Sequence, residues 1–340
     1  MRVLMTGHQG YLGTVMLPIL QEAGHVVVGL DTGYFADCVL GPEVNDGQTM
    51  RKDLRDIQVA DLEGFDAVIH LAALSNDPLG NLAPEITFEI NHAASSHLAA
   101  AARTAGVKRF LYSSTCSVYG ASGGGALVDE QAPLAPITPY AISKVRVEAD
   151  LHDLADDTFS PVSLRNATAF GFSPRLRADI VVNNLVGFAM LTGEVLVLSD
   201  GTPWRPLVHA RDVACAFLAA LEAPRAAIHD QAFNVGSASE NLRVSEIAEI
   251  VSDTVPGSRV NITGEAGSDP RSYRVDFAKI TETLPAYQPS WSTAAGAAEL
   301  YEAYQQYGLD RTGFDQRFTR LAHLNILQQA GRLDGHLRWL

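Results

Sequence analysis

Short apolar runs separated by stretches of helical period fill the first half of the chain. The runs Val3–Met5, Val26–Leu30, Ala67–Leu71, Phe110–Ser113 and Val162–Arg165 read as strands. Several contain hardly a polar residue, as parallel strands covered on both faces do. Between them, Gly10–Ala23, Pro84–Ala105 and Pro139–Ala155 have the length and periodicity of helices. Strand–helix alternation predicts right-handed crossovers and a doubly wound α/β sheet.

The second half is less regular. Asp179–Thr192 reads as a helix, Leu196–Leu198 as a short strand, and Leu207–His209 with Asp212–Leu221 as a return to the main sheet. Phe233-Asn234-Val235-Gly236 reads as another strand end, and Val244–Val255 and Ala294–Tyr307 as helices. The expected division is a nucleotide-binding domain over 1–170, to which 205–236 returns, and a smaller C-terminal substrate-binding lobe from 171–204 and 237–340. No repeat or low-complexity tract occurs, and the glycine-rich Ala121–Gly125 is the most flexible candidate. Phe314, Phe318, Leu321, Leu324 and Leu327 in the tail recur at roughly helical spacing, as in core packing or a subunit contact.

Composition narrows the chemistry. At 340 residues the chain can bury a full core, and 47% hydrophobic with 19% charged residues is ordinary for a globular protein. A net charge of −14 argues against nucleic acid, whose phosphates require a basic face. Cys38, Cys116 and Cys215 are widely separated, so neither a disulfide framework nor a metal site is implied, and a reduced, cytoplasmic setting fits. Val3-Leu4-Met5 is too short for a signal-peptide core, and no segment reaches transmembrane length.

Two motifs carry the chemistry. Gly7, Gly10 and Gly13 follow the first strand and open the first helix, where glycine lets the backbone turn tightly and approach a pyrophosphate at the helix N-terminus. The spacing G-x-x-G-x-x-G also fits a tight βα turn with no ligand. Asp31, eighteen residues beyond Gly13, ends the second strand, where a carboxylate can hold ribose hydroxyls and repel a 2′-phosphate; NAD is therefore favoured over NADP. Asp53 is a candidate for the adenine amino group, or a solvated loop acid.

The second motif is Tyr140 and Lys144, an i, i+4 pair on one helix face, with Pro139 in the first turn. A free phenol, with a pKa near ~10, is a poor base at neutral pH; an adjacent ammonium favours its phenolate form. Thr115, in the hydroxyl-rich run Ser113 to Gly120, would bind the substrate oxygen beside the phenol.

With these pieces in order, the chain resembles the extended short-chain dehydrogenase/reductase family, especially its nucleotide-sugar epimerases and dehydratases. The resemblance covers about the first 280 residues and includes His70-Leu71-Ala72-Ala73, Asn91, Asn183-Asn184-Leu185, Trp204-Arg205 to Asp212, and Phe233 to Gly236. It implies a seven-stranded Rossmann-type sheet, retained NAD, a nucleotide-diphosphate-sugar substrate and a homodimer formed through a helix pair. Implied cofactor contacts are Gly7, Gly10, Tyr11, Leu12, Gly13, Asp31, Asp53, Leu54, Leu71, Ala72, Ala73, Asn91, Ser113, Tyr140 and Lys144. Implied substrate contacts are Asn76, Thr115, Cys116, Ser117, Thr168, Arg177, Asn184, Arg205 and Arg271, with the arginines suited to phosphate.

The reaction is narrowed by what is missing. Dehydratases of this family carry an Asp-Glu pair directly after the catalytic threonine, where this chain has Cys116 and Ser117. A serine is a poor acid–base and a thiol, near ~8.5, a moderate one. Inversion at a carbinol carbon requires no such pair: the hydrogen lost as hydride returns to the other face of a transient ketone. C4 is the favoured carbon; C2 inversion, keto-sugar reduction and a non-catalytic NAD-binding sensor are the alternatives. Cys116 is open to proton transfer or to a plain buried role.

Overall fold

The computed structural model describes residues 1–75, 83–120, 126–265 and 272–340. Ala121–Gly125, the flexible candidate, lies outside them. In chain order the strands are β1 (Arg2–Thr6), β2 (Val26–Asp31), β3 (Gln48–Arg51), β4 (Ala67–His70), β5 (Arg109–Thr115), β6 (Leu127–Val128), β7 (Ser160–Asn166), β8 (Thr168–Phe170), β9 (Glu194–Val197), β10 (Trp204–His209), β11 (Gln231–Val235), β12 (Asn241–Arg243), β13 (Arg259–Ile262) and β14 (Arg274–Val275). Seven form one parallel sheet in the order β11-β7-β5-β4-β1-β2-β3. This is a Rossmann-type doubly wound sheet, whose order reverses direction between β1 and β4.

Alternation along each strand supplies both faces. Val3 and Met5 face a core shared with Met16, Leu17 and Leu20 of the helix Tyr11–Glu22 and Val213, Ala216 and Phe217 of the helix Ala210–Glu222. Leu4, Val28, Val68 and Phe110 face the opposite core with Leu98 and Ala102 of the helix Ala94–Thr104 and Val147 and Leu151 of the helix Pro139–Leu154. Covering both faces makes these strands read as unbroken apolar runs.

One expectation is corrected here. The segment around 207–209 does not join the main sheet: β10 pairs with β8 and β12 in a separate three-stranded sheet. The helix after it packs onto the main sheet, and β11 supplies that sheet's last strand, beside β7. The lobe has its own apolar core, built from Val182, Leu185 and Val186 of the helix Val181–Thr192, Ile247 and Val251 of the helix Val244–Thr254, and Leu300 and Tyr304 of the helix Thr293–Gln306. Pro84–Ala105, expected as one helix, contains a π-helical turn at Glu89–Ala93. Among the described residues no helix is long and apolar enough to cross a membrane.

Candidate functional site

A cavity of about 560 Å³ opens at the carboxyl ends of β1, β2, β4 and β5, running from Gly7 and Asp31 to Thr115, Tyr140 and Arg205. Crevices at this place in such sheets hold ligands, and the volume suits a dinucleotide with part of a second ligand. Gly7 turns with φ +74°, and a Cβ there would lie 2.7 Å from the Ala72 nitrogen. A Cβ on Gly13 would lie 2.5 Å from the Gly7 carbonyl oxygen. These contacts seat the helix start directly on the strand ends. Gly10 offers no side-chain cap, and Tyr11, Leu12 and Gly13 line the cavity with the first helical turn, an anion-binding end.

Asp31 accepts N–H bonds from Gln9 (3.1 Å) and Gly33 (2.8 Å). Burial nevertheless raises its pKa above the ordinary value. Asp53 also lines the cavity, with its carboxylate on the Arg55 guanidinium at 2.7 Å. Burial opposes that charge, but the bonds from Arg55 hold the carboxyl below the usual range. Leu54, Leu71, Ala72 and Ala73 line the same end. Asn91 does not line it. In the π turn its amide holds both the N–H (2.7 Å) and the carbonyl (3.0 Å) of Leu74, which supports the loop after β4. Asn91, expected as a cofactor contact, thus has its amide engaged by the loop backbone.

The chemical end is set by one helix start. Thr138 caps it by accepting the Ala141 N–H (3.2 Å), and Pro139 occupies the first turn, so Tyr140 faces the cavity. Lys144 is 3% exposed; its Nζ donates to the Ser113 carbonyl (2.7 Å) and lies 5.6 Å from the centre of the Tyr140 ring. Burial lowers its pKa from 10.5 to about 7, against the upward pull of Glu148. Glu148, one turn further on, pairs with Arg165 at 2.6 Å. Thr115 accepts the Ser117 N–H (3.1 Å), which leaves its own hydroxyl proton to donate into the cavity. Ser113 lines the cavity and its hydroxyl accepts from the Asn166 amide (3.0 Å).

Ser117, Thr168, Arg177 and Arg205 line the remaining wall. Arg177 is engaged with Asp179 (2.9 Å) and Ser75 (3.1 Å). Arg205 donates to the Trp204 carbonyl (2.8 Å). Two expected contacts point elsewhere. Cys116 is 1% exposed; its thiol donates to the Arg165 carbonyl (3.1 Å), and burial pushes its pKa far up. Asn184 does not line the cavity, and its amide donates to the Ala178 carbonyl (2.9 Å). Asn76 and Arg271 lie outside the described residues. The structure adds Tyr34, Phe35, Asn166, Asp179, Tyr273 and Arg320 to the walls. Asn166 and Asp179 were not singled out from the sequence, although each lies within two residues of a candidate, Thr168 or Arg177; nothing in the sequence marked Arg320.

The model of the NAD-dependent epimerase/dehydratase family matches residues 3–236. A UDP-glucose 4-epimerase from Mycolicibacterium smegmatis is 29% identical over 318 residues, covering 90% of this chain and 99% of that protein. The solved structure of TunA, an NAD-dependent NDP-hexosamine 5,6-dehydratase of tunicamycin biosynthesis, superposes with a TM-score of 0.79 at 26% identity, covering 90% of this chain and 98% of that one. MoeE5, solved in complex with UDP-glucuronic acid and NAD, gives 0.75 at 26% identity over 90% and 99% of the two chains.

Proposed function

The chain belongs to the NAD-dependent epimerase/dehydratase family, and from that premise we propose that it inverts a carbinol centre of a nucleotide sugar, at C4 of the hexose. The cofactor is NAD, and the residues present fit it: the uncapped helix start from Gly10 to Gly13 lines the cavity, and a carboxylate stands at the end of β2. Bound along Gly10–Gly13 and Asp31, NAD would supply reversible hydride acceptance at the carbinol carbon, which permits return to the opposite face of the ketone. Tyr140 accepts the hydroxyl proton and gives it back. Lys144 favours the phenolate by its charge, and Thr115 holds the substrate oxygen with its hydroxyl proton. No net cofactor is consumed. Uridine diphosphate hexoses are the first substrates to test, since the Mycolicibacterium relative is a UDP-glucose 4-epimerase.

The observation that carries epimerisation over dehydration is the state of the acids. Loss of water needs a second acid–base beside Thr115. Cys116 is enclosed with its pKa raised, and Ser117 is a hydroxyl. Among the described residues the carboxylates lining the cavity are Asp31, Asp53 and Asp179. The first is held by backbone N–H groups, the others by Arg55 and Arg177.

The test is incubation of purified protein with UDP-glucose and no added cofactor, followed by proton NMR. The expected product is the C4 epimer. A requirement for stoichiometric reduced cofactor would assign a reductase; loss of water would assign a dehydratase. Light scattering in solution tests the expected homodimer separately.

A further inference from the structure

The C-terminal tail lies beyond the stretch matched by the family model, yet it reaches the same cavity. Residues 320–340 fold over the loop that follows β2. Trp339 donates its indole N–H to the Thr32 carbonyl (2.7 Å), Tyr34 donates to the Leu337 carbonyl, and His323 Nε2 lies 3.0 Å from the Tyr34 carbonyl. Arg55 donates to the His336 carbonyl (2.8 Å), and Arg338 pairs with Asp56 (2.6 Å). Leu324, Leu327, Leu333 and Leu337 form a small apolar cluster with Leu74 and Ile90. The tail is thus fastened to both the β2 loop and the β4 loop, which flank the Asp31 end of the cavity.

At the start of this segment Arg320 places a guanidinium in the wall. It is 6% exposed and lines the cavity. Nη2 donates to the Arg175 carbonyl (3.1 Å), and the guanidinium carbon lies 4.1 Å from the centre of the Phe35 ring. Nη1 has no partner and Arg320 forms no ion pair among the described residues. Burial lowers its pKa to about 10, and the nearby Arg177 adds to the effect. Asp179 and Asp31 pull the other way from a distance, but neither pairs with the guanidinium, so an enclosed anion within reach of Nη1 would supply the contact it lacks. The uncapped start of the helix Tyr11–Glu22 lines the same cavity and favours the same sign of ligand.

We propose that Arg320 supplies the counter-charge for the pyrophosphate of the bound dinucleotide, and that the tail carrying it is a strap that keeps the cofactor in place between turnovers. The dinucleotide is favoured over the diphosphate of the sugar nucleotide by position. Arg320 rests on Phe35, four residues past Asp31, whereas Thr168 and Arg205 lie on the strands of the lobe. A strap also suits a reaction that ends with the hydride returned, since a cofactor lost midway would strand the ketone. The inference rests on the cavity holding NAD and is independent of which sugar is turned over.

Full-length Arg320→Met and Arg320→Lys are titrated, cofactor-free, with NAD and separately with UDP by calorimetry, and the dinucleotide carried by each purified protein is measured in acid extracts. The methionine variant should bind NAD about ten- to a hundredfold more weakly, the scale of one charge-assisted hydrogen bond, with UDP binding unchanged. Lysine should restore part of the loss. The cofactor-free methionine variant should melt no lower than wild type, while the rise in melting temperature on adding NAD shrinks. Unchanged NAD affinity would overturn the assignment; so would a loss confined to UDP, which would give Arg320 to the sugar nucleotide. If Arg320→Met fails to fold, Trp339→Ala, which loosens the strap and leaves Arg320 in place, should speed NAD release; an unaltered release rate would refute the strap. Failure to epimerise UDP-glucose with these NAD effects intact would refute the proposed reaction and leave this inference standing.

Discussion

Replacing Lys144 by methionine should stabilise the cofactor-free protein at pH 6 and lose that advantage by pH 9, while abolishing turnover. The side chain is 3% exposed, and burial brings its pKa from 10.5 to about 7. Below pH 7 the amine is charged in both the folded and unfolded chains, so the fold bears the whole cost of enclosing that charge. At ~1.4 kcal/mol per pH unit the cost is about 5 kcal/mol. Between pH 7 and 10.5 the unfolded chain binds the extra proton, stability rises with pH, and by pH 9 the cost is about 2 kcal/mol. Methionine removes this cost but leaves the Ser113 carbonyl without its 2.7 Å donor, a loss of about 1–3 kcal/mol. The variant should gain about 2–4 kcal/mol at pH 6 and roughly nothing at pH 9. Because one kcal/mol moves the melting point of a chain this long by about 2 °C or a little less, the pH 6 gain is roughly 5 °C. Paired thermal melts across pH 6 to 9 measure it. A difference independent of pH, or a variant less stable than wild type at pH 6, would show that the lysine is not held against its charge.

Three further outcomes follow from the geometry. Tyr140→Phe should cut turnover by at least about a hundredfold, the scale of a lost general base, while purified protein still carries NAD in acid extracts. Gly7→Ala should be worse than Gly24→Ala. Both glycines have positive φ, but a Cβ at Gly24 meets nothing within 4 Å, whereas one at Gly7 lies 2.7 Å from the Ala72 nitrogen. Gly24→Ala should therefore cost about 1–2 kcal/mol from backbone strain alone, and Gly7→Ala an extra ~1–3 kcal/mol together with weakened NAD binding; equal melting points would dismiss the close approach. Cys116→Ala should keep kcat within a few-fold of wild type, because its thiol faces the Arg165 carbonyl; a large fall would return the thiol to the chemistry.

Much of the fold was legible because burial on both faces writes itself into composition. β1, β2 and β4 are runs with little polar interruption, β5 and β7 carry shorter apolar stretches at Phe110–Tyr112 and around Val162–Leu164, and each was found within a few residues. β3 was not, because Gln48–Arg51 is an exposed edge strand with no apolar run to betray it. β10 was assigned to the wrong sheet, because sheet partnership depends on contacts distant in sequence that periodicity does not encode. In the candidate site, Tyr140 and Lys144 were legible because helical spacing alone puts them on one face. Cys116 was the harder case. It sits between two residues that line the cavity, Thr115 and Ser117, but at the turn following β5 its side chain points into the core instead. Arg320 was beyond reach, since the residues it meets in the wall, Arg175 and Phe35, are far away in sequence and no local pattern announces that a tail helix returns to them.

The place of β11 bears on how the chain comes off the ribosome. Every residue of β7 is buried, yet its outer neighbour, Gln231–Val235, is made some seventy residues later, after the whole β8–β10 excursion. Until then the nascent sheet ends in a seven-residue edge whose one charge, Arg165, is paired with Glu148. Its open N–H and C=O groups are a template for pairing with another polyribosome-borne copy. Synthesis paused, or a message truncated, anywhere between residues 166 and 231 should therefore yield inclusion bodies or chaperone-bound chains, and no soluble half-protein.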